Sequence, residues 1–173
     1  MQISAENIDT KKTVSPRSRP EGLTFRMIEP SDIPKILKLG REFFDLSLFK
    51  HFGAEYSEAN LERFLKLLES DSFCPHVIAL VKDEVVGWCQ FQYDISVFKR
   101  PVAVLNTLFV TKKYRRSIVG RMLLATAMEI AKDEQACAFV APVNSGSEHI
   151  GSLSNMLVKG GFKTTGYIMM REL

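Results

Sequence analysis

The stretch that most constrains this chain runs from Val104 to Ala131, VLNTLFVTKKYRRSIVGRMLLATAMEIA. Its first part, Val104 to Val110, is apolar and β-branched, the composition of a buried strand. Lys112 to Arg121 then carries five Lys or Arg and no acid. Met122, Leu123, Ala125, Met128 and Ile130 come next, at helical spacing. A strand that turns directly into an amphipathic helix commits the chain to an α/β layer, because the helix must lay its stripe back on the sheet. The junction gathers unpaired backbone N–H groups and the positive end of the helix dipole. With basic side chains beside them, these groups make a phosphate site.

The rest of the chain is read around that unit. Met1 to Gly22 is polar and mixed in charge, with Pro16 and Pro20, and reads as a flexible tail ahead of one domain over 23–173. Leu23 to Ile28 alternates as a first strand, and Pro30 ends it. Ser31 or Asp32 can cap a helix that tolerates Pro34 in its first turn and buries Ile33, Ile36, Leu37, Phe43 and Phe44. A loop from Leu48 to Tyr56 leads to a second helix from Ser57, with Leu61, Phe64, Leu65 and Leu68 on one side. His76–Val81 and Val85–Tyr93, joined by Lys82-Asp83-Glu84, read as a hairpin. Val102–Val110 is the strand of the central stretch, and Ala136–Val143 reads as another, buried strand. A helix from about Glu148 to Lys159 stops at Gly160-Gly161, before a last strand, Phe162–Leu173. The order β-α-α-β-β-β-α-β-α-β predicts an α/β single domain: a mixed, mainly antiparallel sheet flanked by helices on both faces.

Composition bounds the function. A length of 173 residues, 46% hydrophobic and 25% charged, fits one soluble domain with a real core. A net charge of +3 is too small to argue for nucleic acid, and the basic cluster lacks interleaved aromatics. Cys74, Cys89 and Cys137 form no CxxC, and no His, Cys and carboxylate cluster has metal-ligand spacing, so no metal is expected. Cys89 and Cys137 lie in apolar runs and are expected as buried thiols in a reducing compartment. No apolar run approaches the ~18 residues of a membrane span, and the N-terminus lacks a secretory h-region, so a cytoplasmic protein is expected.

The central stretch resembles the GCN5-related N-acetyltransferases, the GNAT family, which use acetyl-CoA. The family's turn reads Tyr-Arg-Gly-x-Gly-x-Gly-x-x-Leu-Leu after a strand ending in an apolar-aromatic-Val triplet. Here Leu108-Phe109-Val110 precedes Tyr114-Arg115-Arg116-Ser117-Ile118-Val119-Gly120-Arg121-Met122-Leu123-Leu124. Asp83-Glu84-Val85-Val86-Gly87 resembles the family's hairpin turn, and Lys159-Gly160-Gly161-Phe162 its helix end. The resemblance covers Leu23 to the C-terminus. It implies acetyl-CoA (CoA) as cofactor, with its pyrophosphate on the backbone from Arg116 to Arg121. The thioester would lie beside backbone donors at Leu108, Phe109 and Val110. By the same resemblance Arg115, Arg116, Ser117, Ile118, Val119, Gly120 and Arg121 are cofactor-binding, with Asn144 close to where the family has an Asn.

The departures bear on catalysis. Arg116 and Ile118 replace the first two turn glycines, and Gly120 remains. The family's central-strand Glu is replaced by Asn106 and Thr107, and its last-helix Tyr by Leu157. A lysine amine is neutral to only ~0.04% at pH 7, so a group must take its proton, directly or through water. Asn106 and Thr107 are the catalytic candidates, as residues that position a water; a histidine (His76 or His149) or a carboxylate from the loops is the alternative. Ser154 is the hydroxyl nearest the missing Tyr, and the histidines and Ser154 each have a plain structural role open to them. The acceptor is an amine, on a protein or a small molecule. Phe49, His51, Phe52 and Tyr56 border its side by resemblance, or else close the core. Only eleven residues come after Phe162, which leaves an open cleft or one completed by a second subunit of a homo-oligomer. The alternatives are a non-catalytic acyl-CoA-binding or regulatory domain and a non-enzymatic interaction module.

Overall fold

The structure is a computed structural model that describes residues 19–47, 53–69, 73–97, 99–143 and 150–165. Its elements are β1 (Leu23–Met27), α1 (Ile33–Leu46), α2 (Glu58–Glu69), β2 (His76–Val81), β3 (Glu84–Asp94), β4 (Val102–Val110), α3 (Val119–Asp133), β5 (Ala138–Val140) and α4 (Ile150–Lys159). The strands lie in the order β1-β2-β3-β4-β5. The first four pair antiparallel, and β5 joins β4 in parallel after the α3 crossover. This is the expected mixed, mainly antiparallel sheet. The expected element order holds through α4; residues 162–165 are not strand, and the remainder of the expected last strand lies outside the described residues, as do 1–18 of the expected tail.

Two apolar layers sandwich the sheet. Ile33 and Ile36 of α1 and Leu65 of α2 pack with Ile78, Leu80, Val85 and Trp88 on one face. Val119, Leu123, Leu124, Ala127 and Ala131 of α3, with Leu157 of α4, cover Val77, Ala79, Val86, Cys89, Phe91 and Leu105 on the other. With both faces covered, every residue of β2 is buried, and its run HVIALV is correspondingly apolar. The β2–β3 turn holds Lys82 at φ +50° and Asp83 at φ +67°, the left-handed pair that a tight hairpin requires. Gly87 lets α3 approach: a Cβ there would stand 3.1 Å from the Phe109 carbonyl oxygen and 3.3 Å from Leu123 Cδ2.

Several local expectations are corrected. Asp32 does not cap α1 with its side chain. It is fully buried, accepting from Arg26 of β1 and from the Glu29 N–H at 3.0 Å, because a guanidinium–carboxylate pair outcompetes a solvent-facing cap. β5 spans three residues rather than eight, and its Ala138 and Val140 are exposed, as is Cys137, since few residues pair with β4 there. Cys89 is buried as expected, and burial pushes its thiol up to about 12. Phe64 of α2 is 42% exposed. Among the described residues no helix is long and apolar enough to cross a membrane.

Candidate active site

The site is built on an interruption in β4. Thr107 pairs with Gln90 and Leu105 with Phe91, so Asn106 is the extra residue of a β-bulge. Its side chain is exposed, and its Nδ2 donates to Gln92 Oε1 at 3.1 Å. Thr107 beside it is half-buried. The other edge of β4 pairs with β5 only from Val102 to Val104. Beyond that the two strands part, and no described strand covers the β4 edge from Leu105 to Val110.

The ladder decides which groups face that edge. Residues of an antiparallel pair turn their N–H and C=O groups to alternate sides. The Thr111 N–H bonds the Val86 carbonyl at 2.9 Å, and Val110 stands opposite Gly87. The N–H groups of Val110 and Leu108 therefore point away from β3, into the parting between β4 and β5. The Phe109 ring packs on the α1 face of the sheet, edge-on to Phe43 at 5.9 Å.

The same parting leads to the start of α3. No acid stands in its first turn, and no side chain caps it at the N-cap, Ile118. The Ser117 hydroxyl accepts only the Val119 N–H, at 3.2 Å. Val119 is fully buried with its N–H bonded to Ser117, and Ile118 packs against the core, so neither side chain is available to a ligand. A Cβ on Gly120 would touch Val110 Cγ2 at 3.5 Å, an ordinary contact, so the first turn of α3 lies against the end of β4. Arg116 takes the left-handed conformation, φ +69°, at a position where the resembled motif has glycine. The turn thus keeps its path without the glycine, at a cost of about 1–2 kcal/mol. Arg116 and Arg121 flank it, both exposed. A first turn without acid, a positive helix end and two exposed guanidinium groups are chemistry that fits a pyrophosphate.

Arg115 is used differently. Its Nε donates to the Val110 carbonyl at 2.8 Å and its Nη2 to Glu42 Oε1 at 2.7 Å, with the guanidinium 5.5 Å from the Phe109 ring centre. Glu42, on α1, also accepts the Lys112 N–H at 3.0 Å. Neither Glu42 nor Gln92 is recognisable in the sequence, since each meets its partner only through the register of distant elements.

The other candidates separate. His76 is 2% exposed, stacked on Trp88, and its Nδ1 accepts the Trp88 Nε1–H at 3.1 Å. Burial pushes it down to about 4, so it is neutral near pH 7, with its lone pair already engaged. It therefore belongs to the core. The buried neutral form makes the fold sensitive to acid: stability falls as pH drops from about 6.5, the unfolded value, towards about 4. The slope from this one group is about 1.4 kcal/mol per pH unit. His76→Gln keeps an acceptor for Trp88 but does not titrate, so urea unfolding of this variant between about pH 6.5 and 4.5 should lack that slope. An identical pH dependence in both proteins would refute the assignment. Leu157 is buried at 4% in the core, and Ser154, one turn earlier, is half-buried. Tyr56 donates to the Leu37 carbonyl at 3.3 Å and stacks under Arg41. Phe49, His51, Phe52, Asn144 and His149 lie outside the described residues. Among the described residues no three metal-ligating side chains gather.

Comparisons with known proteins bear on the family and the fold. The model of the acetyltransferase (GNAT) family matches residues 41–149, and the chain belongs to that family. No curated protein matches the chain. Among solved structures, the aminoglycoside N-acetyltransferase AAC(6')-Iy, in complex with CoA, is similar at TM-score 0.71 and 12% identity, over 88% of this chain and 95% of that one. An acetyltransferase of Trypanosoma brucei is similar at TM-score 0.66 and 19% identity, over 87% of this chain and 99% of that one. A transcriptional regulator from Bacillus halodurans C-125 reaches TM-score 0.71 at 15% identity, over 87% and 99%. Identities this low, shared with an enzyme and a regulator alike, establish the fold and leave the reaction to be argued from the site.

Proposed function

We propose that this chain is an acetyl-CoA-dependent N-acetyltransferase, passing an acetyl group to an amine by direct attack on the bound thioester. The observation that carries the reading is the parting of β4 from β5, which leaves the Leu108 and Val110 N–H groups facing no described strand, beside the acid-free first turn of α3. Acetyl-CoA would supply the activated carbonyl and a thiolate leaving group. The backbone from Arg116 to Arg121 would hold the pyrophosphate, and Arg116 and Arg121 would add charge. The Leu108 and Val110 N–H groups are donors of the kind that steady a developing oxyanion. Asn106, projected by the bulge, and Thr107 would hold the water that receives the amine's proton. Gln92 fixes the Asn106 amide through its Nδ2, which turns the Oδ1 to accept from that water. The acceptor is an amine on a protein side chain or a small molecule. A net charge of +3 gives no reason to invoke nucleic acid or a membrane surface. The expected setting is the cytoplasm.

A second reading is a non-catalytic acyl-CoA-binding domain. It is favoured by one observation: the bulge carries an amide rather than a carboxylate, and core Leu157 provides no phenol. Calorimetric titration with acetyl-CoA, then CoA release with mixed amines, decides between the two. Binding with release is expected. Binding without release leaves the second reading, and no heat at high micromolar ligand rejects both. Asn106→Ala should lower turnover roughly 10- to 100-fold, at or below the lower end of the general-base range, while binding acetyl-CoA as before. An unchanged rate would remove Asn106 from the chemistry.

A further inference from the structure

We propose that Glu42 is a positioning residue of the cofactor site, acting through Arg115; the inference rests on the β4–α3 turn being the pyrophosphate site. Glu42 stands on α1, yet its single oxygen Oε1 receives two donors from the turn, the Lys112 N–H at 3.0 Å and Arg115 Nη2 at 2.7 Å. Arg115 in turn reaches back with Nε to the Val110 carbonyl at 2.8 Å. One carboxylate thus ties the helix to the last residue of β4 and to the start of the turn. Glu42 and Arg115 side chains are 39% and 25% exposed, so water does not dissolve the pair as it would a fully exposed one.

The consequence lies in what the turn must do. Backbone donors bind an anion well only if their direction is fixed beforehand, because ordering them on binding costs affinity. The turn from Thr111 to Ile118 has few anchors of its own: the Tyr114 and Arg115 N–H groups bond the Thr111 carbonyl, and Ser117 bonds Tyr114. Arg116 adds strain at φ +69°. Glu42 supplies an anchor from outside the turn. It also engages the Arg115 guanidinium, which leaves Arg116 and Arg121 to face a ligand. Arginine is required opposite Glu42, since only a planar fork serves a carboxylate and a carbonyl together; a lysine point charge does not.

The test reads acetyl-CoA dissociation constants by calorimetry beside unfolding midpoints, in the full chain. Glu42→Ala should weaken binding about 5- to 20-fold with a small change in midpoint, as the ordering cost of a short loop suggests. Glu42→Gln, which keeps the accepting oxygen, should recover most of the loss. Arg115→Ala and the double variant should weaken binding no further than Glu42→Ala, the non-additivity of two groups in one device. Glu62→Ala, which breaks the similarly short Glu62–Lys66 pair on α2, should leave binding unchanged. If wild type binds and Glu42→Ala binds equally well, the positioning role is overturned while the cofactor reading stands. An equal loss in Glu62→Ala overturns it too, as a general effect of stability. If wild type itself does not bind, the cofactor reading fails and this inference with it.

Discussion

Gly120→Glu is expected to fold as well as the parent and to lose acetyl-CoA binding. Gly120 is the second residue of α3, where an acidic side chain interacts favourably with the helix dipole by about 0.3–1 kcal/mol. Replacing glycine in a helix also removes a conformational entropy cost of up to ~1 kcal/mol. A Cβ at this position meets Val110 Cγ2 at 3.5 Å, ordinary contact, so the fold accommodates the start of the side chain. Beyond the Cβ, the side chain carries a carboxylate to the N-terminal end of α3, where the pyrophosphate is proposed to sit. A like charge about 5 Å from a phosphate costs ~3 kcal/mol at an effective dielectric of about 20. The dissociation constant should therefore rise on the order of 100-fold or more. Gly120→Ala, which adds the methyl without the charge, should bind within a few-fold of the parent. Thermal unfolding and calorimetry on the three proteins check this. A Glu variant that melts like the parent and binds like it would show that the cofactor does not use this turn.

How far the sequence alone leads can be judged from the same region. Val104–Ala131 is legible because its information is local: a β-branched run, a basic turn, and a stripe at helical spacing. The strand, turn and α3 form where that pattern places them, and so do α1, α2 and the hairpin. The bulge at Asn106 is not legible, since a bulge is a property of two strands in register and β4 reads the same with or without one. The short pairing of β4 with β5 is hidden too: Ala136–Val143 is apolar enough for a longer strand, yet pairing ends at Val140. The motif alone makes Arg115 a phosphate ligand. Its guanidinium is instead held by a carboxylate 73 residues earlier, a contact that no local pattern encodes. The role of His76 likewise depends on Trp88, across the hairpin, and on burial that strand order decides.

Asp32→Ala should produce the largest loss of stability among these variants, about 2–4 kcal/mol at neutral pH. Asp32 is fully buried and serves three partners: Arg26, whose Nη2 donates at 2.9 Å, the Glu29 N–H at 3.0 Å, and Lys35 at 3.6 Å. Burial alone would push its carboxyl up; the Arg26 hydrogen bond, the Glu29 N–H and the positive charges of Arg26 and Lys35 outweigh it and hold the group below the usual carboxylate range. Breaking a buried pair costs about 3–5 kcal/mol, and the partial exposure of Arg26 lowers that figure here. The sign of the pH dependence comes from the direction of the shift. The stabilisation from Asp32 is fully present above the unfolded value of 3.8 and is lost as pH falls through the lower folded value. Parent and Asp32→Ala should therefore differ most in urea unfolding at neutral pH and converge in strong acid; a constant difference at every pH would assign the loss to packing rather than charge. The pair also fixes where α1 begins against β1, and the same helix carries Glu42 to the β4–α3 turn. A loosened Asp32 end should therefore weaken acetyl-CoA binding by no more than Glu42→Ala does, because both variants act on that turn through one helix.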